Sequence, residues 1–378
     1  MKPSRVRGML RALAISGTWL AVRAFAGAPA QPSLDSLLRG KYIDIHCHTA
    51  GIGAKGSGCF VCPALRQSYK FRIYLKAFGV TEAELLREGD ALVLDRISRR
   101  LEESRRVGAA VILALDGVAD SLGNLDSAKT QVYIPNAFVA AETRRHPNLL
   151  FGASINPLRR GATEELALAA TQGAVLIKWI PSIMGIDPAD RALIPFYLAM
   201  KQLGLPLLTH TGKESSFLGA RNELCDPVRL ELPLSLGLTV IAAHVGTPGK
   251  SLGEDNVDRL MRLFPRFPNL YADISSLTQA NKLRYLACIL PRPEARGRLV
   301  YGTDFPLIET LLVSPYYFSF SPKLSFRQVR ALARVKNPWD RDVELKRALG
   351  VPEDAFLRTR ELLFGPRPRS VTDAKNPN

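Results

Sequence analysis

Two histidines separated by one residue end a short apolar segment, YIDIHCH over residues 42–48. Side chains alternate between the faces of a strand, so His46 and His48 are predicted to share one face, roughly 7 Å apart. Two imidazoles placed in this way can hold one divalent ion at about 2.0–2.1 Å each. Asp44 is predicted to lie on the same face, one layer deeper, where it could orient a ligand or a neighbouring cation. The alternative is a pair of hydrogen-bonded structural histidines.

Further groups of the same chemistry follow predicted strands later in the chain. His210 and His244 each end an apolar segment, and Asp304 follows another in the run YGTDFP. Neutral imidazoles with one carboxylate suit Zn²⁺, and also Mn²⁺ or Fe²⁺. Three or four protein ligands leave a position for water, whose pKa such an ion lowers toward about 7. The fifth histidine, His146, precedes a proline at a predicted helix end and is expected to cap carbonyl groups.

These residue types predict a division of roles at one metal site. Asp304, close to the water, can take its proton and return it to a leaving group. His244 can polarise a substrate carbonyl or stabilise developing negative charge. His210 most simply completes the ligand set formed by His46 and His48. The predicted catalytic residues are therefore Asp304 and His244.

Lys178 ends another apolar segment, VLIKWIP over residues 175–181. A lysine inside a buried site is costly unless it is paired or modified. It could pair with a carboxylate, bind an acidic substrate, or carry a carboxylate added by CO₂ and bridge two metals. Pairing or substrate contact is the plainer interpretation.

Eight short apolar segments, each followed by a helix or a long insertion, predict the elements that position these groups. Strands that are buried on both faces and alternate with helices are typical of a parallel sheet. Eight such units predict an α/β fold, a (β/α)₈ TIM barrel whose active site lies at the carboxyl ends of the strands. Long insertions follow strands 1 and 8, over residues 49–90 and 305–340; the first is expected to be a lid or simply to pack on the body. The predicted strands are Lys41–Cys47, Ala109–Leu115, Leu149–Ile155, Ala174–Ile180, Leu205–His210, Leu238–His244, Leu270–Ile274 and Arg298–Gly302. The predicted helices between them include Val132–Arg145 and Thr278–Leu290.

Composition limits the class of protein. Of the 378 residues, 47% are hydrophobic and 23% are charged, as in ordinary globular proteins. The net charge is +16, but the basic residues are scattered and no nucleic-acid-binding signature is present, so no nucleic acid partner is expected. Five cysteines do not indicate a disulfide scaffold, and the single pair Cys59 and Cys62 supports a structural zinc site only weakly.

Both chain ends differ from the body. Residues 1–32 combine basic residues, an apolar run and small residues, which predicts a signal peptide and export to the periplasm or medium. The alternative is a disordered leader on a cytoplasmic protein. No other segment approaches the length of a membrane span. Residues 41–364 are predicted to form the barrel, and residues 365–378 a disordered tail.

The motifs, taken in order, resemble those of the amidohydrolase superfamily, most closely its amidohydrolase-2 branch. The resemblance is carried by DIHCH at 44–48, IK at 177–178, LTHTG at 208–212, AHVG at 243–246 and YGTDFP at 301–306. It implies a distorted (β/α)₈ barrel with one or two metals, held by His46, His48, His210 and Asp304, with Lys178 and His244 as further candidates. In one-metal members the strand-6 histidine, here His244, is catalytic, and Asp304 is both ligand and base.

Three functions follow as hypotheses. The first is a metal-dependent hydrolase of an amide, lactone or related C–N or C–O bond of a small substrate, with one ion, most simply Zn²⁺. The second is a metal-dependent non-oxidative decarboxylase that uses the same pocket. In both, the partner is a small molecule and a carboxylate is one option, while a homo-oligomer is left open. The third, a non-catalytic metal-binding protein, predicts the loss of a ligand residue, and none is missing.

Overall fold

The computed structural model describes residues 33–365. The predicted leader, residues 1–32, and all but the first residue of the predicted tail, residues 365–378, lie outside the described residues.

Eight parallel strands form one sheet in which every strand lies beside its neighbours in the chain. The spatial order is the chain order, from β1 to β8. This is the arrangement predicted for a (β/α)₈ barrel, and each predicted strand has an observed counterpart. The strands are β1 (Tyr42–His48), β2 (Val107–Leu113), β3 (Leu149–Ala153), β4 (Leu176–Trp179), β5 (Leu207–His210), β6 (Val240–Ala243), β7 (Leu270–Asp273) and β8 (Leu299–Val300).

Hydrogen bonds between the first strand and the segment after the last close the ring. Ile45 N donates to Tyr301 O at 3.2 Å, and Asp304 N donates to His46 O at 2.9 Å. A Cβ on Gly302 would lie 3.0 Å from His46 Cβ, so glycine allows this close approach. Closure therefore brings Asp304 beside the histidine pair at the barrel mouth, the end where the carboxyl ends of the strands meet.

Helices surround the strands and fill the insertions. Up to β3 the helices are α1 (Leu34–Leu37), α2 (Pro63–Arg66), α3 (Tyr69–Phe78), α4 (Glu82–Glu88), α5 (Ala91–Glu102) and α6 (Asn136–Thr143). Between β3 and β8 they are α7 (Ala162–Thr171), α8 (Pro181–Met184), α9 (Ile194–Leu203), α10 (Glu231–Ser235), α11 (Asn256–Met261) and α12 (Tyr285–Ile289). After β8 they are α13 (Phe326–Ala333), α14 (Pro338–Ala348) and α15 (Glu353–Phe364).

Apolar side chains form two layers, one inside the barrel and one between the strands and the helices. Along β4, Leu176 belongs to the inner layer, whereas Ile177 and Trp179 belong to the outer one. This alternation places Lys178 on the inner face, together with Leu176. The inner layer is formed by Leu38, Ile43, Ile45, Ala109, Val111, Leu113, Leu176, Leu208, Ile241, Ala243 and Val300.

The first strand departs from regular alternation just before its histidines. Its pairing with β2 shifts register between Asp44 and Cys47. Ile43 and Ile45 belong to the inner layer, and the Asp44 carboxylate accepts a hydrogen bond from Trp339 Nε1 of α14 at 2.9 Å. Because of the shift, Asp44 does not share a face with His46, so the prediction that it lies on the histidine face was wrong. The carboxylate also accepts bonds from Thr303 N and Thr303 Oγ, and so fixes the segment before Asp304.

The insertion after β1 packs on the body of the barrel. Helix α3 buries Phe71, Leu75 and Phe78, and the Phe78 ring lies 5.7 Å from the ring of Phe305, the neighbour of Asp304. Near its start, Phe60–Val61 pairs antiparallel with Val132–Tyr133. The insertion therefore lies against the barrel mouth, and packing on the body, the second of the two predicted roles, is present.

Several predicted helices are shorter than expected, and the difference is largest in two of them. The segment Val132–Arg145 was predicted as one helix, but its start is a strand and α6 begins only at Asn136, after Pro135, because proline restricts the residue before it to extended backbone. The helix predicted over Thr278–Leu290 is confined to α12. Ser275 N and Ser275 Oγ bond Asp273 instead, which holds the start of residues 275–284 as a loop.

Within the described residues, none of the helices is long and apolar enough to cross a membrane. Cys59 and Cys62 are free thiols.

Candidate metal centre

Two histidines and one aspartate bring their polar atoms together at the barrel mouth. The Nε2 atoms of His46 and His48 lie 3.2 Å apart, and Asp304 Oδ1 lies 3.5 Å from the first and 3.2 Å from the second. Donor atoms held about 2.1 Å from one ion in a tetrahedral arrangement lie about 3.4 Å from one another. The three atoms therefore have the spacing of a ligand set for a single divalent cation.

His244 borders this cluster on another side. Its Nε2 lies 3.9 Å from Asp304 Oδ2, and its ring stacks on His46 with the centroids 5.1 Å apart. His244 and Asp304 both have positive φ angles, 60° and 62°, and so does Ser276 at 54°. Left-handed backbone at residues other than glycine is costly and concentrates at functional sites. Three such residues meet here, which indicates that the positions of their side chains are maintained at a cost in backbone energy.

Asp273, at the end of β7, fixes the orientation of the His46 ring. Its Oδ2 lies 2.9 Å from His46 Nδ1, while its Oδ1 accepts bonds from His244 N at 2.9 Å and Ser275 N at 3.0 Å. Burial by itself would raise the pKa of Asp273, but its electrostatic interaction with His46 and the hydrogen bonds from His46 and His244 hold that pKa well below its usual range. An ionised Asp273 keeps the proton of His46 on Nδ1 and leaves the Nε2 lone pair directed at the cluster.

The electrostatics keep the imidazoles of His46, His210 and His244 neutral and the carboxylate of Asp304 charged. Burial, aided by the charge of Lys178, lowers the pKa of His46 to about 4, and burial lowers the pKa of His210 to about 4. Burial and Lys282 hold the pKa of His244 well below its usual value. Although burial opposes it, the neighbouring histidines hold the pKa of Asp304 well below the ordinary value. Neutral imidazoles and an ionised carboxylate are the forms that bind a divalent metal.

Lys178 reaches the centre of the barrel, as its position at the end of β4 predicts. Its Nζ lies 2.9 Å from His46 Nε2, and the side chain is buried. Burial lowers the pKa of Lys178 to about 8, against the opposing charges of Asp273 and Asp304. An ammonium group at this position donates a hydrogen bond to the lone pair of His46 Nε2, which a metal ion would need as a ligand. Metal binding therefore requires that Lys178 turn away or lose its proton.

His210 lies beside the cluster rather than in it. Its ring centroid is 5.0 Å from that of His244, and its Nδ1 is 3.6 Å from Glu214 Oε2. Within residues 33–365, His210 Nε2 is buried and has no hydrogen-bond partner. An orphaned buried nitrogen is expensive unless something binds it, and a metal ion is one such group. The fifth histidine, His146, precedes β3 at the opposite end and lies 3.0 Å from Asp95 Oδ1 rather than capping carbonyl groups.

Several residues at the site were not identified in the sequence. Asp273 lies one residue before the end of a predicted strand, which was a signal available to sequence reasoning, whereas Lys282 lies inside a predicted helix. Lys282 Nζ donates to Ser276 Oγ at 2.7 Å, and Ser276 Oγ lies 3.1 Å from His244 Nδ1. Tyr74 of α3 is half-buried, and its pKa is raised first by burial and further by the charges of Asp304 and Glu214.

The residues present fit a divalent metal ion. Three donor atoms have the right spacing, the imidazoles of His46, His210 and His244 are neutral, and His210 Nε2 is a buried atom without a hydrogen-bond partner among the described residues. His46, His48 and Asp304 would hold the ion, and His210 and His244 stand beside it.

Comparison with known families gives one match. The amidohydrolase family matches residues 43–311, well over half of the chain. A search of curated proteins finds no match.

Comparison with solved structures gives matches at low sequence identity. An uncharacterised TIM-barrel protein from Bordetella bronchiseptica is 17% identical with a TM-score of 0.50, and the match covers 82% of this chain and 100% of that one. A probable 2-pyrone-4,6-dicarboxylic acid hydrolase from Acinetobacter baumannii is 13% identical, with a TM-score of 0.47 and coverage of 85% and 99%. A 5-carboxyvanillate decarboxylase from Sphingomonas paucimobilis is 11% identical, with a TM-score of 0.46 and coverage of 86% and 99%.

The order of the motifs, the eight-stranded parallel barrel and the match over residues 43–311 agree with one another. This chain belongs to the amidohydrolase-2 family, a branch of the metal-dependent enzymes of the amidohydrolase superfamily.

Proposed function

We propose that this protein is a metal-dependent hydrolase that cleaves an amide, lactone or related C–N or C–O bond of a small substrate. The observation that carries the proposal is the cluster of His46 Nε2, His48 Nε2 and Asp304 Oδ1, with separations of 3.2–3.5 Å, at the barrel mouth. A divalent ion held there would polarise a carbonyl group and make a bound water acidic.

Asp304 serves as the general base in this proposal. The carboxylate is ionised at neutral pH, because the neighbouring histidines hold its pKa well below the ordinary value. It accepts a proton from the attacking water, whose oxygen forms the new bond to the carbonyl carbon. It then returns the proton to the nitrogen or oxygen that leaves as the C–N or C–O bond breaks.

His244 stabilises the negative charge that develops on the carbonyl oxygen. His244 Nδ1 lies 2.8 Å from Ser275 Oγ, 3.1 Å from Ser276 Oγ and 3.3 Å from Ser275 O, and its Nε2 faces Asp304 at 3.9 Å. Stabilising an oxyanion requires the tautomer with the proton on Nε2, in which Nδ1 accepts a bond from the Ser276 hydroxyl. A neutral imidazole with an Nε2 proton can donate a hydrogen bond to an oxyanion.

We further propose one Zn²⁺ per chain, with Mn²⁺ or Fe²⁺ as alternatives. The three-residue cluster supplies ligands for one ion, and Lys178 is then an unmodified lysine. Elemental analysis of the purified protein is expected to give about one equivalent of metal per chain. Two equivalents together with about 44 Da of extra mass on Lys178 would contradict this and favour a carboxylated bridge.

A panel of amides and lactones tests the hydrolase proposal directly. The metal-loaded protein is expected to turn over at least one member, and the Asp304→Asn variant is expected to lose that turnover while it still binds metal. A folded, metal-loaded protein that hydrolyses nothing across a broad panel, yet releases CO₂ from an aromatic acid, would refute it.

Non-oxidative decarboxylation is the second candidate. The observation that favours it is the presence of two buried lysines, Lys178 and Lys282, around the same cluster, since cations suit a substrate carboxylate. In that reaction a proton replaces CO₂ on carbon, with no water consumed. Release of CO₂ from aromatic carboxylic acids, measured in the same panel, distinguishes the two reactions.

The composition of residues 1–32 supports a further proposal, that the protein is exported through a cleaved signal peptide. The mass of the mature protein from a host able to export it tests this. Full-length protein confined to the cytoplasm would contradict it.

A further inference from the structure

Lys282 is a buried cation without a carboxylate partner. Three lysines are buried in the described part of the chain: Lys178, Lys282 and Lys346. Lys346 is matched, because its Nζ lies 2.7 Å from Asp342 Oδ2 and donates to Gly302 O at 2.8 Å. Across residues 33–365, by contrast, the one hydrogen-bond partner of Lys282 Nζ is Ser276 Oγ, and no carboxylate oxygen lies within 4 Å of it.

The position of Lys282 places its charge at the catalytic centre. It lies in the loop after β7, at the barrel mouth, and Ser276 connects it to His244 Nδ1 through bonds of 2.7 and 3.1 Å. Burial lowers the pKa of Lys282 to about 8, and the charge of Asp304 is the largest opposing influence, followed by Glu214 and Asp273. The carboxylates of the site therefore favour the charged form of Lys282, and its bond to Ser276 places that charge beside His244.

The buried ammonium group of Lys282 has more N–H donors than hydrogen-bond partners among the described residues. It carries three N–H donors, of which Ser276 takes one. A buried charge without a counter-ion costs several kcal/mol, and an arriving anion recovers that cost by pairing with it. Lys178 is less suited to this role because its ammonium faces His46 Nε2, an atom of the cluster itself.

We propose that Lys282 anchors an anionic group of the substrate, so that the substrates of this protein are small carboxylic acids whose reacting bond lies toward His46, His48 and Asp304. The inference rests on the proposed function for the statement that this cluster is where substrate reacts. It names a residue that the sequence did not single out, and it gives the loop after β7 a role in specificity.

Benzoate and its uncharged analogue benzamide test the proposal by isothermal titration of the zinc-loaded full chain at pH 7. The wild type is expected to bind benzoate at least about tenfold more tightly than benzamide, since a charge-assisted bond in a buried site is worth more than about 1.4 kcal/mol. Lys282→Met is expected to reduce the ratio to about twofold or less, with zinc content unchanged. Lys282→Arg, which keeps the charge, is expected to retain most of the preference.

Two controls separate the charge of Lys282 from its other effects. Ser276→Ala removes the hydroxyl between Lys282 and His244 but keeps the cation, so the preference for benzoate is expected to remain. Lys250→Met removes one positive charge from an exposed position and is expected to change nothing. If Lys282→Met does not fold, Lys282→Gln removes the charge and still donates a hydrogen bond to Ser276.

A wild type that does not prefer benzoate, or a folded Lys282 variant without the charge that keeps the preference, would overturn the anchor. These outcomes differ from a failure of the proposed function. Loss of the preference in Lys282→Met, with no amide or lactone hydrolysed by the wild type, refutes the hydrolase and leaves the anion site. Hydrolysis with the same kcat/KM in the wild type and in Lys282→Met refutes the anchor and leaves the hydrolase.

Discussion

Replacing Asp273 by asparagine tests how the fold prepares His46 for metal. The carboxylate holds four donors: His46 Nδ1 at 2.9 Å through Oδ2, and His244 N, Ser275 N and Ser275 Oγ through Oδ1. Asparagine has nearly the same shape and can keep the carbonyl oxygen toward the last three donors. Its NH₂ group then faces His46 Nδ1, where two donors would meet.

The imidazole can relieve this conflict by moving its proton from Nδ1 to Nε2. The Nε2 atom is the one that lies 3.2 Å from His48 Nε2 and 3.5 Å from Asp304 Oδ1. A protonated Nε2 has no lone pair for a metal. Removing such an orienting partner typically costs 10–100-fold in metal affinity, or about 1.4–2.7 kcal/mol. The loss of a charge-assisted bond, about 1.5–3 kcal/mol, gives the same magnitude.

Zinc affinity measured by competition with a chromophoric chelator checks this prediction, and circular dichroism confirms that the variant is folded. Asp44→Asn is the matched control, because Asp44 is an equally buried carboxylate that bonds Thr303 and Trp339 rather than a histidine ring. The control is expected to lower stability and to change zinc affinity less than about threefold. A folded Asp273→Asn variant with wild-type zinc affinity would refute the argument about the tautomer of His46.

Three further outcomes are expected. Asp304→Asn lowers kcat by about 10²–10⁴-fold, the usual contribution of a general base, and unchanged kcat would exclude that role. Dialysis against EDTA abolishes turnover and one equivalent of Zn²⁺ or Mn²⁺ restores it; activity that survives complete removal of metal would exclude metal-dependent hydrolysis. Trp339→Phe removes the bond to Asp44 and lowers the free energy of unfolding, measured in urea, by about 2–4 kcal/mol. Phe326→Ala, at an exposed position, changes the free energy of unfolding by less than about 0.5 kcal/mol. Equal effects of the two variants would contradict the buried contact.

The sequence predicted the barrel and the histidines of its mouth because both are signalled locally. An apolar run of four to seven residues identifies a strand buried on two faces, and a polar residue at its carboxyl end falls at the mouth of a barrel whatever the details of packing. His46, His48, His210 and His244 are all such residues, and Asp304 follows the last strand. Membership of the family followed from the same motifs.

Tertiary structure decided which side chains touch. The register shift in β1 turns Asp44 outward to Trp339, and no local pattern distinguishes a shifted strand from a regular one. The partner of His46 comes from β7, 227 residues away, and its selection depends on how the ring of strands closes.

The location of Lys282 at the site also could not be predicted from local sequence. Lys282 stands in a stretch whose composition favours a helix, and the bonds from Ser275 to Asp273 make the start of that stretch a loop. The sequence therefore identifies the types of residue that could perform the chemistry. Their hydrogen-bond partners, their protonation states and the positions of their side chains depend on contacts between distant segments, which exist only once the barrel has closed.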